Sequence, residues 1–515
     1  MKKIISLLLV LSFCITLFAC DSNTKENSED TSSDEWQYVL PTPVVNAEIS
    51  LPFTSADTFN PYKAKSKLNR DLISIVYEAL YSRTEDGYGY PQLALSATEN
   101  GNVVTVKLKQ GIVFSDGTPF NAENVKYSYD LAKNNSYYKN NLKYIESFDV
   151  VDNFTLKVTY SGAMLMPLNV LSFPIVLKSG NNYIGTGKYV LKYLEAMPYF
   201  EVNKRHEDFS NEWNAQIALY DMAGISNEIY TFKAKKISVY NDDLTDGAYE
   251  NLSSKTVSLP TNNLVYAGLN MKWAGSITSV AWVRRVINIG INRVDIGASS
   301  FLGQTEPTTT PFKPSFYRLS GQELIESAGD LNRAINLLEE NGYDSFTSDG
   351  YRTDGVNTLK LSILVCNDNP YKVGVAEALK KSLQTLGIKA SVNAKKRADY
   401  LKALKSEHYE IYIGEIELPA DGDLTEFFSE SGSVNYGIST KSFIPYENFK
   451  DGKLNMTEFI ENFYTSVPFV PLFYRKNVLS VNPEISGIDS TESDAYASVN
   501  EWHVAKPVTD DSEID

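Results

Sequence analysis

The chain is poor in the residues that most often carry catalysis or hold metals. It has 3 cysteines and 3 histidines in 515 residues, and His206, His408 and His503 stand far apart without metal-ligand spacing. Cys-x-x-Cys, Gly-x-Ser-x-Gly and His-Glu-x-x-His are all absent. The usual sequence marks of redox dithiols, serine hydrolases and zinc proteases are therefore missing. A paired-carboxylate site needs only closeness in space, but nothing in the order of residues asks for one. No cofactor and no metal are expected. Basic charge is also short: the formal net charge is −16. Setting aside the acidic stretch 21–36, the acidic tail and the two lysines at the start leaves about −9 for the body. That sign argues against nucleic acid and anionic lipid surfaces as partners. Long apolar runs are lacking too, with one exception at the very start.

That exception begins after Lys2 and Lys3 and runs from Ile4 to Phe18. A basic start followed by a short apolar stretch is the pattern of a secretory signal, too short for a stable membrane span. It ends in Leu17-Phe18-Ala19-Cys20, which resembles the lipobox of bacterial lipoproteins. The resemblance implies cleavage after residue 19 and lipid on the Cys20 thiol; an ordinary signal cut elsewhere is the plainer alternative. Residues 21–36 are almost purely polar and read as a disordered tether, having little apolar surface to offset ordering entropy. After processing only Cys20 and Cys366 remain, so with Cys20 lipidated no intramolecular disulfide can form. Cys366 ends an apolar strand pattern and reads as a small buried hydrophobe rather than a nucleophile.

At 43% hydrophobic and 12% aromatic content, the body can bury large cores and should form two or three lobes. From Ala47 to about Tyr266 the rhythm is that of strands. Val104, Val106 and Leu108 alternate with polar neighbours, as do Phe154, Leu156, Val158 and Tyr160. Asp116-Gly117 signals a tight turn, and Asn121 or Ala122 opens a helix. From about Asn270 to Tyr474 strands alternate with helices. Leu359–Val365 is a strand pattern, Val375, Leu379, Leu383 and Leu386 form a helix face, and Gly387 ends it. Strands are predicted again at Lys389–Asn393 and Tyr409–Leu418, with a helix through Tyr400–Leu404. This alternation predicts an α/β lobe with a largely parallel sheet. The zone from Val478 to Val504 reads as irregular.

Several stretches, in order, resemble the extracellular solute-binding proteins of family 5, the peptide-type receptors of ABC importers. They are FNPY (59–62), VYEALY (76–81), and 90–130 with its core VKLKQGIVFSDGTPFNAENV. GTGKYVLK (185–192), with Lys188 in place of the family's proline, VRRVINIGINR (283–293) and AINLLEENGY (334–343) follow. VAEALKKSLQTLGI (375–388) and VPFVPLFYR (467–475) complete the series. Read by themselves, most are scaffold: FSDGTPF is a turn, and Gly185-Thr186-Gly187 lacks the spacing of a phosphate loop.

The resemblance implies a two-lobed α/β clamshell of the periplasmic-binding-protein type (type II-like) with an extra β-rich subdomain. The expected boundaries are a signal peptide at 1–19, a lipidated Cys20 with tether to 36, and an acidic tail at 508–515. Lobe one would take 37–60, 181–268 and 478–507, the subdomain 61–180, and lobe two 269–477. The implied function is capture of a small solute, a short peptide above all, for delivery to an ABC importer permease. The protein would be a monomer, lipid-anchored at the outer face of the cytoplasmic membrane. A peptide-sensing receptor of the same fold and a lipid-anchored surface hydrolase are the rival readings.

The richest polar cluster is 410–428, EIYIGEIELPADGDLTEFF. Strand alternation sets Glu415 and Glu417 on one face, opposite Tyr412 and Ile416. Carboxylates at the carboxyl end of a strand in an α/β lobe stand where ligands usually bind. In peptide-binding members of the family, an aspartate just after this strand takes the peptide's α-ammonium. Counting back from Phe427-Phe428, Asp421 or Asp423 fills that place; a solvated acidic turn is the plainer alternative. Ile413 and its neighbours stand where some oligopeptide binders carry an arginine. Nickel-, sugar- and haem-binding relatives share the scaffold, so fold alone does not name the ligand. Asn435 and Tyr436 are further candidate contacts, or else a surface loop.

Overall fold

The computed structural model describes residues 47–244, 254–319, 324–489 and 494–505. The signal peptide, Cys20, the tether and the acidic tail lie outside them. A first sheet orders the strands Ser50–Phe53, Gln216–Asp221, Met197–Val202 and Tyr189–Leu194, the first pair parallel and the others antiparallel. Leu51, Phe53, Phe200, Ile217 and Leu219 bury its face against Leu72, Ile75 and Trp502. Each such fully buried side chain contributes about 1.5–3 kcal/mol, so burial of this face is a major source of the lobe's stability. The backbone at Gly185 and Gly187 crosses Val76 so closely that a Cβ on either glycine would collide with its main chain. The Gly187 amide donates to the Val76 carbonyl at 3.0 Å, which makes the Gly-Thr-Gly turn a packing device.

The β-rich subdomain is a four-stranded antiparallel sheet ordered Ala94–Asn100, Val103–Leu108, Thr155–Tyr160, Ile145–Asp152. The predicted alternation is its buried face: Val104, Val106, Leu108, Leu156, Val158 and Tyr160 all point into one core. Gly117 takes a φ of 95°, the left-handed value that the Asp-Gly turn needs. Asn121 caps the helix Ala122–Ala132 in a reciprocal capping box with Asn124.

The second lobe is built on a seven-stranded sheet. Lys360–Cys366 lies parallel to both Lys389–Lys395 and Ile411–Glu417, while every other pairing is antiparallel. The expectation of a largely parallel sheet is thus corrected to a mixed one. The reason is geometric: the chain enters this lobe along Lys255–Leu269 and leaves along Phe469–Val481, side by side and in opposite directions. The helix Pro370–Thr385 is capped by Asn369 and followed by Gly387 at φ 76°, as its sequence signals require. Val478–Val481, expected to be irregular, completes the exit strand.

Those two long strands join the lobes. Their register shifts between Pro260 and Leu264. On one side Leu259, Leu479 and Val481 pack into the first core; on the other Val265, Ala267, Val470 and Leu472 pack into the second. Two cores threaded by one strand pair make a two-lobed clamshell whose crossing point is the shared β-ribbon. Among the described residues no helix is long and apolar enough to cross a membrane.

Candidate functional site

Where the long strands pass from one core to the other, the lobes enclose a cavity of about 460 Å³. Such a volume suits a small ligand. Residues from every part of the chain line it: Asp71 and Arg83 from the front, Tyr137 from the subdomain, Arg475 and Glu417 from the second lobe, and Asp494 near the end.

Most of its charges are already paired. Lys67 Nζ lies 2.5 Å from Asp71 Oδ2. Arg70 donates to the Lys65 carbonyl and sits 5.0 Å above the Tyr137 ring. Arg475 binds Glu415 through Nε at 2.5 Å, and through Nη1 the Asn477 side chain and the Asp243 carbonyl. Lys372 reaches the other Glu415 oxygen at 2.6 Å. Burial opposes ionisation of Glu415, but Lys372 and Arg475 outweigh it and hold its carboxyl below the usual range. Asp494 accepts from the Tyr496 amide at 2.8 Å, and burial raises its pKa.

Two lining charges have no hydrogen bond or ion pair among the described residues. Glu417 ends the strand Ile411–Glu417 opposite Asn263, and its side chain is exposed to the cavity. Arg83, also lining the cavity, is half-buried, and its Nε is shut off from solvent without an acceptor.

A second cavity, about 430 Å³, lies between the subdomain and the second lobe, lined by Asp421, Asp423, Leu165, Tyr446, Phe449 and Met456. Here Asp423 is fully engaged. Its Oδ2 accepts from Tyr144 at 2.6 Å and Lys143 at 3.1 Å. Its Oδ1 accepts from the Tyr446 hydroxyl at 2.7 Å and the Thr425 hydroxyl at 2.6 Å. Burial works against the charge, but these donors, Thr425 first, hold the carboxyl down at about 2. Asp421 accepts the Asp423 amide at 3.1 Å and is pushed up to about 7 by burial and by the neighbouring Asp423 charge.

The structure thus separates the residues that the sequence grouped. Glu417 faces the interlobe cavity, Glu415 is tied beside it, and Asp421 and Asp423 line the second cavity. Asn435 lines neither: its amide donates to the carbonyls of Ser429 and Glu430 at 2.6 and 3.3 Å. Tyr436 packs its ring edge-on against Tyr412 at 6.3 Å. Arg83, Asp71, Arg475 and Asp494 were missed by sequence reasoning, because no local motif marks them. No group of three or more His, Cys, Asp or Glu among the described residues could hold a metal ion.

Comparison with known proteins agrees with this architecture. The sequence profile of the bacterial extracellular solute-binding proteins, family 5 (middle), matches residues 89–434. The glutathione-binding protein GsiB of Salmonella typhi is 26% identical over 365 residues, 65% of this chain and 67% of GsiB. An ABC transporter substrate-binding protein from Sinorhizobium meliloti superposes with a TM-score of 0.70 at 18% identity, covering 89% of this chain and 100% of its own. The periplasmic murein tripeptide binding protein MppA, in its unliganded open form, gives 0.65 at 17% identity over 89% and 98% of the two chains. A nickel ABC transporter structure from Bacillus halodurans gives 0.69 at 16% identity over 88% and 99%. These relatives are solute-binding proteins rather than enzymes. With the profile spanning most of the chain, and a clamshell whose cavity lies at the lobe crossing, this protein belongs to the bacterial extracellular solute-binding proteins of family 5.

Proposed function

We propose that the chain captures a short peptide in the interlobe cavity and presents it to an ABC importer. The observation that carries this reading is the cavity itself: a polar chamber at the lobe crossing with an unpaired carboxylate, Glu417, on its second-lobe wall. A carboxylate without a partner suits the α-ammonium of a peptide. Asp423 is occupied by Lys143 and three hydroxyls, and Asp421, with its raised pKa, is largely neutral in mildly acidic surroundings. Asp423 holds its loop to the subdomain and Asp421 braces that loop from within, while Glu417 meets the ligand. The names of the glutathione- and murein-tripeptide-binding relatives point to the same class of ligand. A ligand that touches both lobes binds the closed form better than the open one and shifts the population toward it. Lipid on Cys20 and the tether 21–36 would keep the receptor at the outer face of the cytoplasmic membrane, raising its effective concentration at the permease.

A thermal-shift screen against di- to pentapeptides, nickel, disaccharides and haem tests the substrate. Ligand at 100 times its dissociation constant adds about 2.7 kcal/mol, a readable shift. Stabilisation by peptides is the expected result; stabilisation only by nickel, a sugar or haem would overturn peptide capture. Cys20→Ser should release the protein from the membrane fraction.

A further inference from the structure

We propose that Arg83 receives the carboxylate of the bound solute, making the interlobe cavity a clamp for a zwitterion with Glu417 at its positive end. The inference rests on the peptide-capture reading and adds to it the orientation of the ligand and the residue that selects it.

Four cations line the cavity: Lys67, Arg70, Arg83 and Arg475. Asp71 holds Lys67, the Lys65 carbonyl and the Tyr137 face hold Arg70, and Glu415 with Asn477 holds Arg475. Arg83 alone of the four makes no hydrogen bond or ion pair among the described residues, and its Nε is closed off from solvent. Nε itself is out of a ligand's reach, but the terminal nitrogens of Arg83 are not among the buried unpartnered atoms and can donate into the cavity. Met end-on, the two terminal nitrogens match the two oxygens of a carboxylate, a fit that lysine cannot reproduce.

The other unpaired lining charge, Glu417, has the opposite sign and comes from a different element of the fold. Arg83 precedes the first strand of the β-rich subdomain, whereas Glu417 ends a strand of the second lobe. No ion pair links them in the protein. A molecule carrying both a carboxylate and an ammonium meets a residue from each of these two parts of the fold at once, and so favours the closed arrangement over the open one. A ligand lacking the carboxylate leaves the Arg83 wall unmet. This asymmetry is how a site built around a polar group rejects analogues without it.

The test uses the full chain and two degenerate tripeptide pools, one of free acids and one of C-terminal amides, in equilibrium dialysis read by mass spectrometry. The wild type should retain acids over amides by about tenfold. Arg83→Gln should erase that preference by lowering acid retention about tenfold while leaving amides within about twofold. Arg83→Lys should fall between the two. Equal loss of acids and amides in Arg83→Gln, or no loss of either, removes Arg83 as the receptor but leaves peptide capture standing. Equal retention of acids and amides by the wild type overturns the proposal with no variant needed. A wild type that retains neither pool overturns both readings together.

Discussion

The two cavities of this protein are nearly the same size, about 460 and about 430 Å³, and differ in how their charges are spent. In the cavity between subdomain and second lobe, Asp423 is saturated by Lys143, Tyr144, Tyr446 and Thr425, amid Leu165, Phe449 and Met456. Its polar groups serve one another, and the arrangement is that of a structural tie. In the interlobe cavity, Glu417 and Arg83 are left over after every neighbouring charge has found its partner. Volume therefore says little about function here. Charges that line a cavity between the lobes without a protein partner say more, because there a ligand can meet them.

The largest expected effect concerns the tie. Asp423→Ala leaves Lys143 and the buried Tyr446 hydroxyl without their acceptor and should cost about 3 kcal/mol, read as a lower urea midpoint. Peptide affinity of the folded fraction should hardly change. A large loss of affinity without loss of stability would move the binding site to the second cavity.

Next in size is a pH effect. Asp421 sits at about 7, above the ordinary carboxyl value. Folding therefore takes up a proton between about pH 4 and pH 7, and the stability this group contributes is complete below pH 4 and lost as pH rises through 7. Asp421→Asn should gain on the wild type by about 2 kcal/mol at pH 8 relative to pH 4. Asp423, held at about 2, acts in the opposite sense: its contribution is present above about pH 4 and disappears as pH falls through 2. Denaturation curves at three pH values separate the two, and a pH-independent difference for Asp421→Asn would show that the carboxyl is not held neutral.

Glu417→Gln sharpens the contrast from the other side. The side chain is exposed and unpaired, so stability should stay within about 0.5 kcal/mol. Affinity for a peptide with a free amino terminus should fall about tenfold more than for its N-acetylated form. Calorimetric titration of both ligands decides it, and equal losses would take the ammonium away from Glu417. The smallest effect is Asn435→Ala, which removes two hydrogen bonds inside its own loop and should cost about 1 kcal/mol without altering ligand binding. Any change in peptide selectivity would place that loop in the site after all.

Much of the architecture was legible from the chain. The alternation of Val104, Val106 and Leu108 marked a one-faced strand, because side chains two apart share a face whatever the fold. The helix face Val375–Leu379–Leu383 and the glycine after it were equally local. The mixed second sheet was not legible: strand direction there depends on where the chain enters and leaves the lobe, hundreds of residues apart. The acidic run after residue 410 announced carboxylates near a strand end. It could not say that Glu417 would face one cavity and Asp421 another, only four residues on.

Residue order by itself determined periodicity, caps, turns and the family's string of landmarks, all set by neighbours within a few positions. Tertiary structure alone decided which charges were left unpaired. Whether Glu415 is neutralised by Arg475, or Asp423 by Lys143, depends on distances across 60 and 280 positions of sequence. Electrostatic pairing acts through space, so the charges left without a protein partner emerge only once all the others have met.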